Sequence, residues 1–500
     1  MPDPIDDSED QRLHDSGFVT RTASAVRFVV LGRVIHQLLT IGFTVVLARL
    51  LTPEEYGIYG IAFVFLQLLI YLEAFRVESA LVQRADLTTE EEGQGYSLMV
   101  ALGILFAALL FGLSGWIASL FDMPEAKVVM QILSVAFVIR GITSAHRVRL
   151  RRQLRFGTLA AMDTVGLIPG GALAIYFASS GQGAVSLAVF YMLQVVGAAI
   201  VAFVTVGFVR PGRPEPAFTR EIFRFGFPAT GSEVVSYLWF HAPSLVVGYG
   251  LGSTSLGFFR QAMALVSKPV MYLQEITNQL AFPVLSRAHE EQYEVKGLYL
   301  HSFHLVTLVA LPIAVFTMIL APELVWILYG PQWGAIVVLV RILVVVAFAK
   351  VMHPFAAGLF QARGRPSVDF GINASVLILF VALLFVGIQF GVTGIAIASA
   401  IAFAVLAITA QIVANRWLDI SMPEIASTML TGLGASLLSG GLAFAIRLLL
   451  VPEDAYVAGL IVTAAIGVST YALCLRILDQ DSLRQLINVV IPGRKGVAVS

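Results

Sequence analysis

The sequence is poor in charged residues and in cysteine. Asp, Glu, Lys and Arg make up 13% of its 500 residues, whereas hydrophobic residues make up 58%. A soluble domain has roughly 25% charged and about 45–50% apolar residues. So little charge cannot cover a water-soluble globule of this length, and a soluble fold is excluded for most of the chain. The single cysteine, Cys474, excludes a disulfide framework and a cysteine-based metal site.

The sequence also lacks a secretory signal and any catalytic signature. Residues 1–20 are polar and acidic, and the first apolar run starts after Arg27, so we interpret residues 1–23 as a disordered cytoplasmic tail. There is no phosphate-binding loop and no G-x-S-x-G elbow. His301 and His304 would share one helix face, but they have no third ligand nearby, so we interpret them as structural or lipid-interface residues. The sequence predicts no catalytic residue, no metal site and no cofactor, and therefore no enzyme.

Long apolar runs dominate the rest of the chain. A membrane-spanning helix needs about 20 mostly apolar residues, and fourteen runs fit that length. They cover residues 26–50, 57–78, 95–120, 126–146, 157–178, 184–208, 222–248, 256–284, 295–320, 334–360, 367–389, 392–415, 424–449 and 455–477. We therefore predict an all-α integral membrane fold of about fourteen transmembrane helices.

The distribution of Lys and Arg supports this prediction through the positive-inside rule. The loops after the fourth, sixth and tenth runs and the C-terminal tail are rich in Arg and Lys. The alternate loops, residues 121–125, 179–183, 252–255 and 451–454, contain neither residue. An even number of spans with both termini in the cytoplasm follows. The basic loops can also be explained by topology and by contact with anionic lipid headgroups alone.

A weak internal repeat divides the chain. Residues 46–59 and 246–259 each contain an apolar helix end, a polar turn, and then a large apolar residue, Gly and an aromatic residue. A Pro-rich segment, residues 210–216, lies between the two halves. Binding of substrate between duplicated halves is a recurrent transporter plan. We predict two pseudo-symmetric six-helix lobes, residues 24–209 and 222–416, a cytoplasmic linker at 210–221, two further helices within 417–477, and a cytoplasmic tail at 478–500.

Ionisable residues inside the spans are the strongest functional signal. Each costs about 2.5–3.5 kcal/mol at a helix centre, and such groups usually face a bundle interior or a wet cavity. We select as candidate substrate-binding residues Arg33, Arg140, Arg260 and Lys268, and as candidate ion-coupling residues Asp163 and Glu233. The other ionisable residues of the spans include His36, Glu73, Arg76, Glu78, His241, Glu275, Arg341, Lys350 and His353.

Two interpretations of the deep charges stay open. In the first, they only pair with one another, as Glu233 could with Arg260 or Lys268. Arg33 could pair with Asp163 in the same way. In the second, they line a cationic cavity for an anionic headgroup, since guanidinium groups form forked hydrogen bonds with phosphate oxygens and keep their charge. Prolines and small-residue motifs within the spans would allow helices to kink and to pack closely.

Several segments resemble a known family. Residues 48–57, Ala-Arg-Leu-Leu-Thr-Pro-Glu-Glu-Tyr-Gly, are similar to the first periplasmic turn of bacterial polysaccharide transporters. These are the O-antigen and exopolysaccharide flippases of the multidrug/oligosaccharidyl-lipid/polysaccharide exporter superfamily. Further matches lie at residues 256–259, 282–286, 329–333 and 361–366. One departure concerns the seventh helix, where relatives often carry Asn or Asp and this chain has His241, which puts an ion-coupling role borrowed from that position in doubt.

The resemblance implies a V-shaped bundle, alternating access of two lobes and a substrate of oligosaccharide on undecaprenyl diphosphate. We expect a flippase in the bacterial inner membrane that acts in O-antigen, capsule or exopolysaccharide biosynthesis. The expected partners are this substrate, membrane lipids and polysaccharide polymerase or export machinery, with no nucleic acid. Coupling to a Na⁺ or H⁺ gradient stays open. The alternatives are an ion-coupled multidrug exporter of the same superfamily, a flippase for the peptidoglycan lipid precursor, and a non-transporting scaffold or polymerase.

Overall fold

A computed structural model describes residues 35–490 except 74–76, 85, 287–291 and 453. Only the backbone is described for residues 73, 79, 225–233, 270–286, 292–294 and 486–490. Within this part of the chain the regular structure is helical throughout, and no strand occurs. Eleven of the described helices are long and apolar enough to cross a membrane. The predicted all-α membrane fold is therefore confirmed.

The helices follow the apolar runs of the sequence closely. The described part of the chain begins with α1 (Ile35–Leu50), α2 (Pro53–Glu73), α3 (Val77–Gln83), α4 (Thr89–Leu120), α5 (Ala126–Arg152), α6 (Phe156–Thr164), α7 (Leu167–Ser179) and α8 (Ala184–Val206). A long run, α9 (Pro216–Ser286), follows. The chain continues with α10 (Gln292–Ile319), α11 (Ala321–Leu328), α12 (Ile336–Ala362), α13 (Pro366–Gly387), α14 (Gly391–Leu418), α15 (Met422–Leu450), α16 (Tyr456–Leu478) and α17 (Gln480–Val490).

Two glycines interrupt long helical stretches at sequence-predicted boundaries. Gly252 has a φ of 80° inside α9 and separates two helical arms there. Gly391 has a φ of 69° between α13 and α14, which otherwise form one apolar stretch of 53 residues. Glycine adopts this left-handed region without steric cost, so the chain can turn at both positions. The count of fourteen spans stays a prediction.

Helix starts are specified by local side chains. The family-like segment contains a capping box at the start of α2, where the Thr52 N–H donates to Glu55 Oε2 at 2.7 Å and the Glu55 N–H donates to Thr52 Oγ1 at 3.3 Å. Equivalent boxes join Thr88 to Glu91 at α4 and Ser421 to Glu424 at α15. Each box satisfies two backbone donors that the first helical turn leaves unpaired.

The chain divides into two compact units, Met1–Val234 and Val235–Ser500, with the division inside α9. In the first unit, α5 packs between α4 and α8, and α8 also packs on α6 and α7. In the second unit, α14 packs against α12 and α13, and α15 packs against α10 and α16. The finer division into lobes, linker and tails stays a prediction.

Candidate functional site

A lysine in the second unit lies between two aromatic rings. Lys350 is on α12, and its Nζ is 4.6 Å from the ring centroid of Phe240 and 5.0 Å from that of Phe403. Phe240 belongs to α9 and Phe403 to α14. An ammonium group is attracted to the faces of aromatic rings at such distances, and more strongly where water is scarce. Three helices that are distant in sequence therefore position this one positive charge.

The side chains of His241 and Arg260 lie near Lys350 and form a group with it. Arg260 and Lys350 both lie close enough to His241 to interact with it electrostatically. The His241 ring stacks on Tyr237, with centroids 4.7 Å apart and planes inclined by 28°. We refer to His241, Arg260 and Lys350 as the cationic cluster, whose positive charge comes from Arg260 and Lys350. Basic side chains held together within membrane-spanning helices are an expensive arrangement, and such groups mark substrate or ion pathways.

A buried aromatic layer supports the cationic cluster. Trp239 stacks on Phe380 at 5.0 Å and contacts the edge of Phe403 at 4.9 Å. Its Nε1–H donates to the carbonyl oxygen of Asn373 at 3.3 Å. Trp239 is 4% exposed, whereas Phe240 is 50% exposed. The buried Trp239 thus holds the Phe403 ring against Lys350, whereas half of the Phe240 side chain lies at the surface of the protein.

One turn beyond Lys350 on α12, His353 lies beside a carboxylate of α13. His353 Nε2 is 3.3 Å from Asp369 Oδ1, and Asn373 Nδ2 donates to the same oxygen at 3.1 Å. Asn373 is also the residue whose carbonyl accepts from Trp239. The cationic cluster, the aromatic layer and this His–Asp pair therefore form one connected arrangement on α9, α12, α13 and α14.

The sequence-predicted site residues have different surroundings. Arg260 belongs to the cationic cluster, and Lys268 follows it on α9 as a partly buried side chain. Arg140 is partly buried on α5 of the first unit. Asp163 is 62% exposed and lies 3.6 Å from Arg147. Arg33 and the side chain of Glu233 lie outside the described residues, as do their suggested pairings. The substrate-binding and ion-coupling roles of all six residues stay predictions.

The central residue of the arrangement was visible in the sequence but was not selected. Lys350 interrupts the apolar run 334–360, which is a signal for function. His241 is one of the ionisable residues of the spans and departs from the family pattern, but neither feature selects it as a site residue. Phe240 and Phe403 gave no signal, because phenylalanine is frequent in this chain, with 34 residues, and only the tertiary fold selects these two.

Basic residues of the first unit form a separate ion-pair network. The sequence placed Arg149 and Arg151 in a loop, but α5 extends to Arg152, since most residues of its last turns favour helix. Arg149 forms two hydrogen bonds with the Glu92 carboxylate, of 2.5 and 2.8 Å. Arg151 lies 3.5 Å from Glu78. Glu78, expected at the end of a span, lies on the short α3. Carboxylates of α3 and α4 therefore engage these two arginines.

Comparison with known proteins gives consistent matches. A family model described as polysaccharide biosynthesis protein matches residues 46–338. The teichuronic acid biosynthesis protein TuaB of Bacillus subtilis is 24% identical over 68% of this chain and 70% of its own length. The lipopolysaccharide biosynthesis protein WzxC of Escherichia coli is 22% identical over 74% of this chain and 75% of its own length.

Among solved structures, the lipid II flippase MurJ in an inward closed conformation superposes with a TM-score of 0.70. The match covers 91% of this chain and 99% of that protein at 13% identity. An identity this low relates the two proteins by fold. The fold is thus shared with a membrane protein over nearly its whole length.

Proposed function

Because the chain belongs to the family of polysaccharide biosynthesis proteins, we propose that it is a flippase for undecaprenyl-diphosphate-linked oligosaccharide in the bacterial inner membrane. Family membership confirms the resemblance to polysaccharide transporters. It also confirms that this multi-pass membrane protein is a transporter and not an enzyme. The proposed substrate class is supported by relatives that act in teichuronic acid and lipopolysaccharide biosynthesis.

The observation that carries the proposal is the cationic cluster with its aromatic neighbours. A lipid-linked sugar has a diphosphate between its polar and apolar parts, and this group needs positive charge where water is scarce. Arg260 can form forked hydrogen bonds with phosphate oxygens, and Lys350 supplies a second positive charge. The half-exposed ring of Phe240 offers an apolar face next to that charge. This combination matches the junction of a sugar, a diphosphate and an isoprenoid.

In the proposed mechanism the cationic cluster holds the diphosphate while the isoprenoid chain stays in the lipid. The lobes then give access to the two sides of the membrane in turn. Lys350 is suited to bind and release, because the two aromatic faces compensate its charge when the phosphate is absent. The binding energy is thereby kept moderate, as turnover requires.

The charge of the cluster separates this proposal from one of its two transporter alternatives. A multidrug exporter for cationic compounds would need an acid-lined site. The cationic cluster would instead repel such compounds. A flippase for the peptidoglycan precursor would use the same diphosphate chemistry with another sugar. The sugar portion of the substrate therefore decides between the two flippase functions.

A proteoliposome experiment tests the proposal. The purified protein is reconstituted, and the translocation of a fluorescent undecaprenyl-diphosphate oligosaccharide is followed by its accessibility to dithionite. We expect translocation by the unaltered chain and a loss of at least tenfold in Lys350→Gln and Arg260→Gln. Arg416 is an exposed residue at the end of α14. The Arg416→Gln variant serves as the control and should translocate the substrate at the normal rate.

Absence of translocation by the unaltered chain, with intact folding shown by its melting curve, would overturn the proposed function. Normal translocation in both cluster variants would instead reject the role of the cationic cluster. Faster translocation of the peptidoglycan precursor than of any polysaccharide repeat unit would favour the second alternative.

A further inference from the structure

Two histidines on α10 contact the last described helix. His304 and His301 lie one turn apart, and both face the segment that begins α17. His304 Nε2 is 2.7 Å from Asp479 Oδ2. His301 Nε2 is 2.9 Å from Gln485 Oε1. The pair that the sequence suggested as a structural feature thus joins α10 to α17.

Both ring nitrogens of His304 face hydrogen-bond acceptors. Its Nδ1 is 2.6 Å from the carbonyl oxygen of Thr428 on α15, and its Nε2 faces the Asp479 carboxylate. A carbonyl oxygen and a carboxylate oxygen can only accept. Both contacts are therefore hydrogen bonds only when His304 carries a proton on each nitrogen. A neutral ring has a single N–H and loses one of them.

Asp479 connects this histidine to the start of α17. Its Oδ1 accepts from the Ser482 backbone N–H at 3.1 Å, which caps the helix. Partial burial acts to raise the pKa of Asp479, but hydrogen bonds from His304 and Ser482 outweigh it, so the pKa is lowered. Asp479 therefore remains a carboxylate and an acceptor at neutral pH.

Between residues 480 and 485, where its side chains are described, α17 has one apolar contact with the rest of the unit. Leu483 contacts the cluster formed by Leu308, Ala435 and Leu475, and Ser482 is buried. The neighbouring residues Asp481, Arg484 and Gln485 are exposed. In the described part of α17, the polar contacts of Asp479 and Gln485 therefore add to this apolar contact and help to hold the start of the helix in place.

The other titratable groups near His304 have different partners. On α10, Lys296 Nζ is 3.0 Å from Glu424 of α15, and on α16 the Tyr471 hydroxyl donates to the Leu308 carbonyl at 2.5 Å. Cys474 of α16 lies beside the same apolar cluster. On α17, Asp481 and Arg484 are exposed and 3.9 Å apart. Among the titratable side chains near Asp479, His304 is the one whose two ring nitrogens both face acceptors.

We propose that His304 and Asp479 form a pH-sensitive latch that docks α17 against α10 and α15. The latch is closed while His304 carries two ring protons. It opens as rising pH removes one proton, because one of the two acceptors then loses its donor. Loss of the Asp479 contact also loosens the residue that caps α17.

A distance measurement tests the latch in the full chain. Spin labels replace Ser427 and Arg484, two exposed residues on α15 and α17, in a Cys474→Ala background. Their distance distribution is measured by double electron–electron resonance in nanodiscs at pH 6 and at pH 8.5. We expect a narrow distribution at pH 6 and a broad one at pH 8.5.

Asp479→Asn supplies the decisive comparison. Asparagine also caps helices, and its amide N–H can donate to the lone pair of a neutral His304 while Nδ1–H bonds Thr428. We therefore expect a narrow distribution at both pH values in this variant. His304→Gln should give a distribution that is independent of pH. An unchanged distribution in the otherwise unaltered chain, or a remaining pH response in Asp479→Asn, would overturn the latch. Neither result depends on which substrate the protein transports.

Discussion

The backbone N–H of Gly212 donates a hydrogen bond of 2.8 Å to the carbonyl oxygen of Gly93. The Gln94 side chain adds a second contact by accepting from the Glu215 N–H at 3.3 Å. A Cβ atom on Gly93 would lie 2.9 Å from Gly212 N, and one on Gly212 would lie 2.7 Å from Gln94 N. The Pro-rich segment is therefore attached to the first turn of α4, which only glycine at both positions allows.

Substitution of Gly212 should detach this segment. Gly212→Val would force its side chain into the backbone of α4, and we expect the free energy of local opening to fall by about 1–3 kcal/mol, the usual cost of overpacking. Hydrogen exchange at the amides of residues 209–215 measures it. Glu215→Gln, which changes an exposed side chain and keeps the backbone contact, is the matched control. Equal protection in both variants would contradict the steric argument.

Breaking a buried ion pair in the second unit should lower the stability of the protein strongly. Glu323 of α11 is 0% exposed and pairs with Arg447 of α15. Glu323→Gln would leave a buried guanidinium without a counter-charge, which typically costs about 3–5 kcal/mol. The double variant Glu323→Met with Arg447→Leu should recover much of this loss. Thermal unfolding in detergent compares the stability of the single and the double variant. If Glu323→Gln were as stable as the double variant, the cost assigned to the unpaired Arg447 would be wrong.

The aromatic layer should tune affinity without supplying charge. Trp239→Leu removes the ring stacked on Phe380 and Phe403, and such a stack contributes about 0.5–1.5 kcal/mol. We expect the affinity for a farnesyl diphosphate probe to fall roughly two- to tenfold, since Phe403 then holds Lys350 less firmly. Trp326→Leu is the control, because Trp326 also stacks, on Tyr456 at 4.5 Å, but this stack joins α11 and α16, which carry no member of the cationic cluster. Equal losses in both variants would point to a general packing effect.

Strong acid should release α17 by a different route from alkali. Because the pKa of Asp479 is lowered from its ordinary value of 3.8, its stabilising contribution is complete above about that pH. It is lost as the pH falls through the lower pKa of the folded state. The same spin-label pair should broaden at the acidic end of the accessible range, and Asp479→Asn should lack this acid transition. A transition that persists in the variant would assign it to another group.

The sequence was sufficient for the elements that local composition determines. Apolar run length predicted the helices, and the break at Gly252 lies within the predicted turn 252–255. The family-like segment around Thr52 is a helix start whose capping box involves side chains only three residues apart. Each of these features depends on neighbours along the chain, so that spacing alone predicts it.

The site required tertiary information. Lys350 was recognisable as a costly charge, but its contacts with Phe240 and Phe403 join three helices that are far apart in sequence. The run of charged residues around Arg149 and Arg151 predicts a helix end there. The helix continues because carboxylates of neighbouring helices compensate both arginines. Pairing between distant segments has no periodic signal in one sequence.

The turn at Gly252 determines how the two helical parts of α9 are rotated relative to one another about their axes. His241 precedes it and Arg260 follows it, and the two side chains interact electrostatically across the turn. Each residue of a helix advances the side-chain direction by about 100°. One alanine inserted between residues 253 and 259 would thus turn Arg260 away from His241 while every participating side chain is retained. An insertion scan could therefore separate the geometry of this site from its chemical composition, as point substitution cannot.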